Sequence, residues 1–269
     1  MSYNFYKKRN IFLFCLFFII VIQIKVFSLT VSPFYVVIET LPNKPGTEIV
    51  NIINDSNVDS EIKAILMDFE YDKKGNKITK PAGTSSNSIA KYVKISPNNF
   101  LLKPNESKEV KISIDVPEKS IGGKQALVYF EGIPFLKETS IRKTPKIKMG
   151  VRLGVLILQE TTGTVITKSR IKSVKIDNPS LSKPLVLNID VINEGNSHLI
   201  TTASAAIMKD DDTFIGRIDF NKMIILPNKI KTLTGEWGGE LSKGTYHAII
   251  TYQYTEDKNI VIDKVFQIK

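Results

Sequence analysis

Apolar and polar positions alternate with a period of two over much of this chain. Val110, Ile112, Ile114 and Val116 are separated by Lys111, Ser113 and Asp115, and Leu187, Ile189 and Val191 are spaced the same way. A strand places successive side chains on opposite faces, so this spacing predicts strands with one buried and one solvated face. Ile49–Ile53, Ile62–Phe69 and Ala126–Ile133 read as further strands in the first half. Ile200–Ile207, Phe214–Phe220, Lys229–Trp237, Thr245–Tyr254 and Ile260–Ile268 do so in the second. Turn residues fall between them at short intervals: Asp72-Lys73-Lys74-Gly75-Asn76, Pro97, Pro104-Asn105, Pro117, Gly122-Gly123, Asn193-Glu194-Gly195-Asn196 and Gly244. That rhythm belongs to β-sandwiches. Helical periodicity beyond a turn or two is absent after residue 28. One long strand closes the first half: Met149, Val151, Leu153, Val155 and Ile157 alternate with Lys148, Gly150, Arg152 and Gly154. The polar run Glu160-Thr161-Thr162-Gly163-Thr164 follows and marks a boundary. The expected class is all-β, with two immunoglobulin-like sandwiches in tandem at 29–160 and 161–269.

The chain has 269 residues, 42% hydrophobic and 24% charged, enough apolar material for two cores of ~100 residues each. Residues 1–28 depart from the strand pattern. Lys7, Lys8 and Arg9 precede the uninterrupted apolar run Ile11–Ile22, which is shorter than the ~20 residues that span a bilayer. Modest side chains at Val26-Phe27-Ser28 follow. This is the layout of a secretory signal peptide, with cleavage expected after Ser28. Removing it takes four basic residues and no acid, so the formal charge of +10 falls to +6. The remaining lysines are scattered among acids, the pattern of solvated strand faces and not of a nucleic-acid surface. The single cysteine, Cys15, lies inside the apolar run. The exported chain is therefore expected to have no disulfide, thiol nucleophile or thiolate metal site.

Candidate chemistry is sparse. His198 and His247 sit in different elements without ligand spacing around them, which favours hydrogen-bonded histidines over a metal. No serine occupies a Gly-x-Ser-x-Gly elbow. Asp210-Asp211-Asp212 reads as a hairpin turn, since calcium is usually held by spaced ligands around a glycine turn. Trp237, beside Gly238-Gly239, reads as a core or rim plug, with a ligand platform as the lesser reading. Asn54-Asp55-Ser56 and Asn105-Glu106-Ser107 match the glycosylation sequon, relevant only to a eukaryotic secretory route. No enzyme and no cofactor is expected.

Residues 31–134 resemble the N-terminal domain of the periplasmic chaperones of chaperone–usher pili, the PapD-like group. Ser32-Pro33 opening Tyr35-Val36-Val37-Ile38 is similar to that family's first strand, and Ile49–Asn54 to its second. Ile95-Ser96-Pro97, Phe100-Leu101-Leu102-Lys103-Pro104-Asn105 and Tyr129-Phe130-Glu131-Gly132-Ile133-Pro134 are similar to later strands in the right order. The resemblance implies a periplasmic protein that holds exported or pilus-type subunits by adding a strand to an exposed sheet edge. In that family an arginine of the first strand and a lysine of the last clamp the subunit's terminal carboxylate. Tyr35 stands at the arginine position, and Lys146 matches the lysine. Thr139, Ile141 and Lys143 stand where the family carries large apolar residues. On this reading Lys146, Lys148 and Arg152 meet an acidic or carboxylate-bearing segment, beside the apolar positions Met149, Val151 and Leu153. The alternative is a structural or adhesive envelope protein with two sandwich modules.

Overall fold

The computed structural model describes residues 28–71, 76–135, 150–180 and 182–269. Within them the chain is all-β apart from a short 3₁₀ turn at Ala90–Tyr92, as the alternation requires. Residues 1–27, where nearly all of the expected signal peptide falls, lie outside the described residues. No described helix is long and apolar enough to cross a membrane.

The first sandwich contains β1 (Thr30–Ser32), β2 (Tyr35–Thr40), β3 (Gly46–Ile53), β4 (Ser60–Tyr71) and β5 (Lys77–Pro81). It continues with β6 (Val93–Ser96), β7 (Asn99–Leu102), β8 (Ser107–Ile114), β9 (Gly123–Pro134) and β10 (Val151–Thr161). One sheet has the order β1-β3-β8-β6. The other runs β2-β10-β9-β4-β5, with β7 also on β4. Val50 and Ile52 of β3, Val110, Ile112 and Ile114 of β8, and Val155 and Ile157 of β10 are completely buried between them. The period-two positions thus form the core.

The resemblance implies one opening strand, Tyr35–Ile38; there are two, in different sheets. β1 pairs antiparallel with β3, whereas β2 runs parallel to β10 from Leu156↔Tyr35 to Thr161↔Thr40. The chain crosses between sheets at Ser32-Pro33-Phe34. Proline has no N–H to continue the β1 ladder, which suits it to this crossing.

The second sandwich holds β11 (Ser169–Asp177), β12 (Leu185–Asn193), β13 (Leu199–Lys209) and β14 (Phe214–Asp219). After these come β15 (Met223–Ile225), β16 (Ile230–Trp237), β17 (Gly244–Gln253) and β18 (Asn259–Ile268). Its sheets are β11-β12-β16 and β14-β13-β17-β18, with β15 on β13. Leu185, Leu187, Ile189 and Val191 face Tyr246, Ala248, Ile250 and Tyr252 across a second core.

The halves share a structural repeat. Asn54 directly follows β3 and Asn193 ends β12; both are fully buried. Asn54 Nδ2 donates to the Val58 carbonyl at 2.8 Å and the Leu102 carbonyl at 3.1 Å. Asn193 Nδ2 donates to the Ser197 carbonyl at 2.7 Å and the Ile225 carbonyl at 2.9 Å. The main-chain carbonyl of each accepts an N–H from a second asparagine, Asn105 or Asn228. Those two follow Pro104 and Pro227 and have φ of 60° and 58°, a region asparagine enters more readily than most residues. Two copies of one corner therefore underlie the two sandwiches, and β10 corresponds to β18 as the last strand of each.

The sandwiches are in contact. Leu226, from the turn after β15, is 2% exposed and packs with Phe69 and Leu127 of the first sandwich. Gly123 N–H donates to the Asn196 carbonyl at 2.9 Å. Side chains at Gly122 or Gly123 would overlap the Asn196-Ser197 turn, so both glycines are needed for this close approach.

Candidate strand-binding edge

β10 pairs with β9 along ten positions, from Val151↔Gly132 to Glu160↔Gly123. Its opposite edge is covered by β2 only from Leu156 onward. The Leu156 N–H donates to the Phe34 carbonyl at 3.1 Å. Main-chain groups of alternate residues in a strand point the same way, so those of Gly154 and Arg152 point toward this same side. Among the described residues no strand pairs with them there. Among the described residues the result is a short open edge, Val151–Val155, continuous with the covered part of the strand.

The side chains here face two ways. Val151 and Leu153 are half-buried against the first core. Arg152 lies on the outer face, 52% exposed, where its guanidinium donates to Glu131 Oε1 at 2.7 Å and sits 5.5 Å from the Tyr129 ring centroid. Arg152 thus already has a carboxylate partner within the sheet. Gly154 keeps the outer face flat beside Tyr129: a Cβ there would lie 3.1 Å from Tyr129 Cε1 and Leu127 Cδ1. Lys146, Lys148 and Met149, with Thr139, Ile141 and Lys143, lie outside the described residues. Of the six expected partner-binding residues, Val151, Arg152 and Leu153 are described, with Arg152 on the face opposite to the other two.

Tyr35 lies elsewhere, in a groove of about 510 Å³ between the sandwiches, with Val37, Glu160, His198, Lys222 and Tyr254 among its lining residues. His198 is 7% exposed. Its Nδ1 is 3.3 Å from Ser197 Oγ and 3.7 Å from Glu160 Oε1, and Ser197 Oγ donates to that same oxygen at 2.7 Å. Burial pushes the His198 imidazole down to about 4, so it is neutral at pH 7. His247 is the opposite case. It lies on the exposed face of β17, with Nδ1 2.7 Å from Asp263 Oδ2 and Nε2 3.3 Å from Asp210 Oδ1. Hydrogen bonds to Asp263 and then Asp210 raise it above its ordinary value.

Other sequence candidates have structural places. Asp210-Asp211-Asp212 forms the β13–β14 turn, with the Asp212 N–H donating to the Lys209 carbonyl at 2.9 Å. No group of three or more His, Cys, Asp or Glu among the described residues is arranged to hold a metal. Trp237 is packed at the rim of the second core, its ring against Gly216 and Gly239. The sequon asparagine Asn54 is buried and engaged at the β3 corner. The open edge is not legible in the alternation, since pairing across an edge is a tertiary property. Ser32-Pro33 is the signal the sequence does carry, because it ends one ladder just before β10 gains its parallel neighbour.

No family model and no curated protein matches this chain. Solved structures do resemble it. One is described as a chaperone–tip adhesin complex of CFA/I fimbriae biogenesis: 15% identity, 88% of this chain and 98% of that chain covered, TM-score 0.44. A structure of Salmonella enterica SafA pilin with the SafB chaperone has 12% identity, covers 91% and 99%, and has a TM-score of 0.44. The E. coli chaperone DraB has 13% identity, covers 90% and 98%, and has a TM-score of 0.42.

Proposed function

We propose that this chain is an exported, non-enzymatic, chaperone-like protein of the periplasm that holds extended segments of exported subunits by adding them as a strand to the open edge of β10. One observation carries the reading: the outward main-chain groups of Arg152 and Gly154 lie next to a ladder that β2 already extends from Leu156. An extended segment placed there continues the sheet. Main-chain hydrogen bonds supply affinity, and alternate side chains supply selectivity. The sequence resemblance of residues 31–134 to pilus chaperones points the same way. In this reading Arg152 contributes mainly through its backbone, since its guanidinium is already held by Glu131 and Tyr129.

The test is native capture of the tagged chain from an envelope fraction, with bound species identified by mass spectrometry, followed by capture with Arg152→Pro. Proline removes an N–H that faces the open edge and leaves the β9 ladder, so folding is retained, checked by near-ultraviolet circular dichroism. The expected result is one exported subunit bound stoichiometrically to the wild type and lost by at least about ten-fold in the variant. Equal retention by Arg152→Pro, or recovery of the chain inside a finished surface assembly, overturns the reading and favours a structural envelope protein.

A further inference from the structure

We propose that the outer edge of β18 is a second strand-binding site. It takes an extended segment of another exported polypeptide, with a carboxylate facing Lys264 and aliphatic side chains two residues to either side. The proposal goes beyond the function assigned to β10 and does not depend on it.

The internal repeat supplies the template. β10 and β18 each pair antiparallel with the preceding strand. In the first sandwich, β2 lies parallel along the other edge of β10 and buries Val36 and Ile38 in the seam between the sheets. In the second, the opening strand β11 stays with β12 from Ser169↔Asn193 to Asp177↔Val186. No described strand pairs with β18 on that side. The seam shows the difference. Val155 and Ile157 of β10 are fully buried, whereas Ile260 and Ile262 of β18, with Val174 and Ile176 of β11, are only half-buried. A strand placed as β2 is placed would cover them.

The edge is also chemically defined. The Gln267 carbonyl accepts from Asn178 Nδ2 at 2.8 Å and so faces away from β17. Main-chain groups of Val265, Asp263 and Val261, at two-residue steps, face the same way. Lys264 lies between Ile262 and Phe266 on the inward side of the strand. It is exposed and enters none of the ion pairs found among the described residues. An inward lysine in an edge strand opposes indiscriminate pairing. A carboxylate directly across turns that penalty into an attraction, which makes the site selective.

Amide hydrogen exchange of the full chain tests this, using a nine-residue peptide with valine at alternate positions, threonine between them and glutamate in place of the central valine. A matched peptide carries lysine at the centre. The glutamate peptide is expected to slow exchange across residues 259–268 and to bind several-fold tighter than the lysine peptide. Lys264→Glu, with its circular dichroism checked, is expected to reverse that preference. No protection at 259–268 from either peptide, protection confined to 151–155, or equal binding of both peptides to the wild type and to Lys264→Glu each overturns the proposal. Protection confined to 151–155 does so while leaving the β10 reading intact.

Discussion

Two kinds of polar residue, the corner asparagines and the histidines, set the behaviour of this molecule at the scale of single side chains. Asn54 and Asn193 each satisfy carbonyls that the chain cannot pair by any ladder. Asn193→Ala removes the side-chain donor of the Ser197 and Ile225 carbonyls and Asn54→Ala that of the buried Leu102 carbonyl, each at a cost of roughly 1–3 kcal/mol. Urea unfolding of Asn54→Ala and Asn193→Ala measures it; a loss below about 1 kcal/mol in both would show that the corners are not what holds the turns. The histidines act with opposite sign. His198 has a folded value near 4 against an ordinary 6.5, so the unfolded chain binds its proton first. Stability from this site is whole above about pH 6.5 and is lost as pH falls toward 4, by on the order of 3 kcal/mol. His247 is raised above 6.5, so its contribution is complete below that pH and fades as pH rises through the raised value. The denaturation midpoint of His198→Gln is expected to fall less than that of the wild type between pH 6.5 and 4, and that of His247→Gln to depend less on rising pH. An unchanged slope in either variant would refute the assignment for that residue.

At the scale of strands, alternation makes most elements legible in the amino-acid sequence. Val110, Ile112 and Ile114 point inward because they recur every second residue, and they are completely buried. What alternation does not encode is which edge of a strand has a neighbour. The same repeat of Val151, Leu153, Val155 and Ile157 runs through the open and the covered parts of β10. Only the crossing at Ser32-Pro33 decides where cover begins. The repeat between halves is hidden in the sequence for a related reason. Asn54 with Pro104-Asn105, and Asn193 with Pro227-Asn228, are each one corner split across distant sequence, and the residues between share no pattern beyond alternation. Native-state amide exchange checks the division of β10. Arg152 and Gly154 are expected to exchange at least about ten-fold faster than Leu156, whose N–H is held by Phe34. Equal protection of all three would mean that the edge is covered.

At the scale of the whole molecule, the question is whether two sandwiches unfold as one. Inter-domain contacts within a chain are often polar and permissive of motion, but this junction has two unlike attachments. On one side Leu226, 2% exposed, is inserted beside Phe69 and Leu127, and Lys231 Nζ lies 3.5 Å from the Tyr71 ring centroid. On the other, Gly122-Gly123 meets Asn196-Ser197 backbone to backbone, with Ser197 also tied to Glu160. Both attachments hang on one corner of the second sandwich, because Asn193 Nδ2 donates to the Ser197 carbonyl and to the Ile225 carbonyl that precedes Leu226. Leu226→Ala removes the apolar attachment at about 2–4 kcal/mol. Gly123→Val forces a side chain into Ser197 and breaks the polar one. Each alone is expected to weaken a single cooperative transition; the double variant is expected to divide it into two, one per sandwich. Calorimetry reads the outcome directly through the ratio of calorimetric to van't Hoff enthalpy. A wild type that already unfolds in two steps would show that the junction does not couple the sandwiches, and the β10 and β18 edges would then sit on bodies free to move independently.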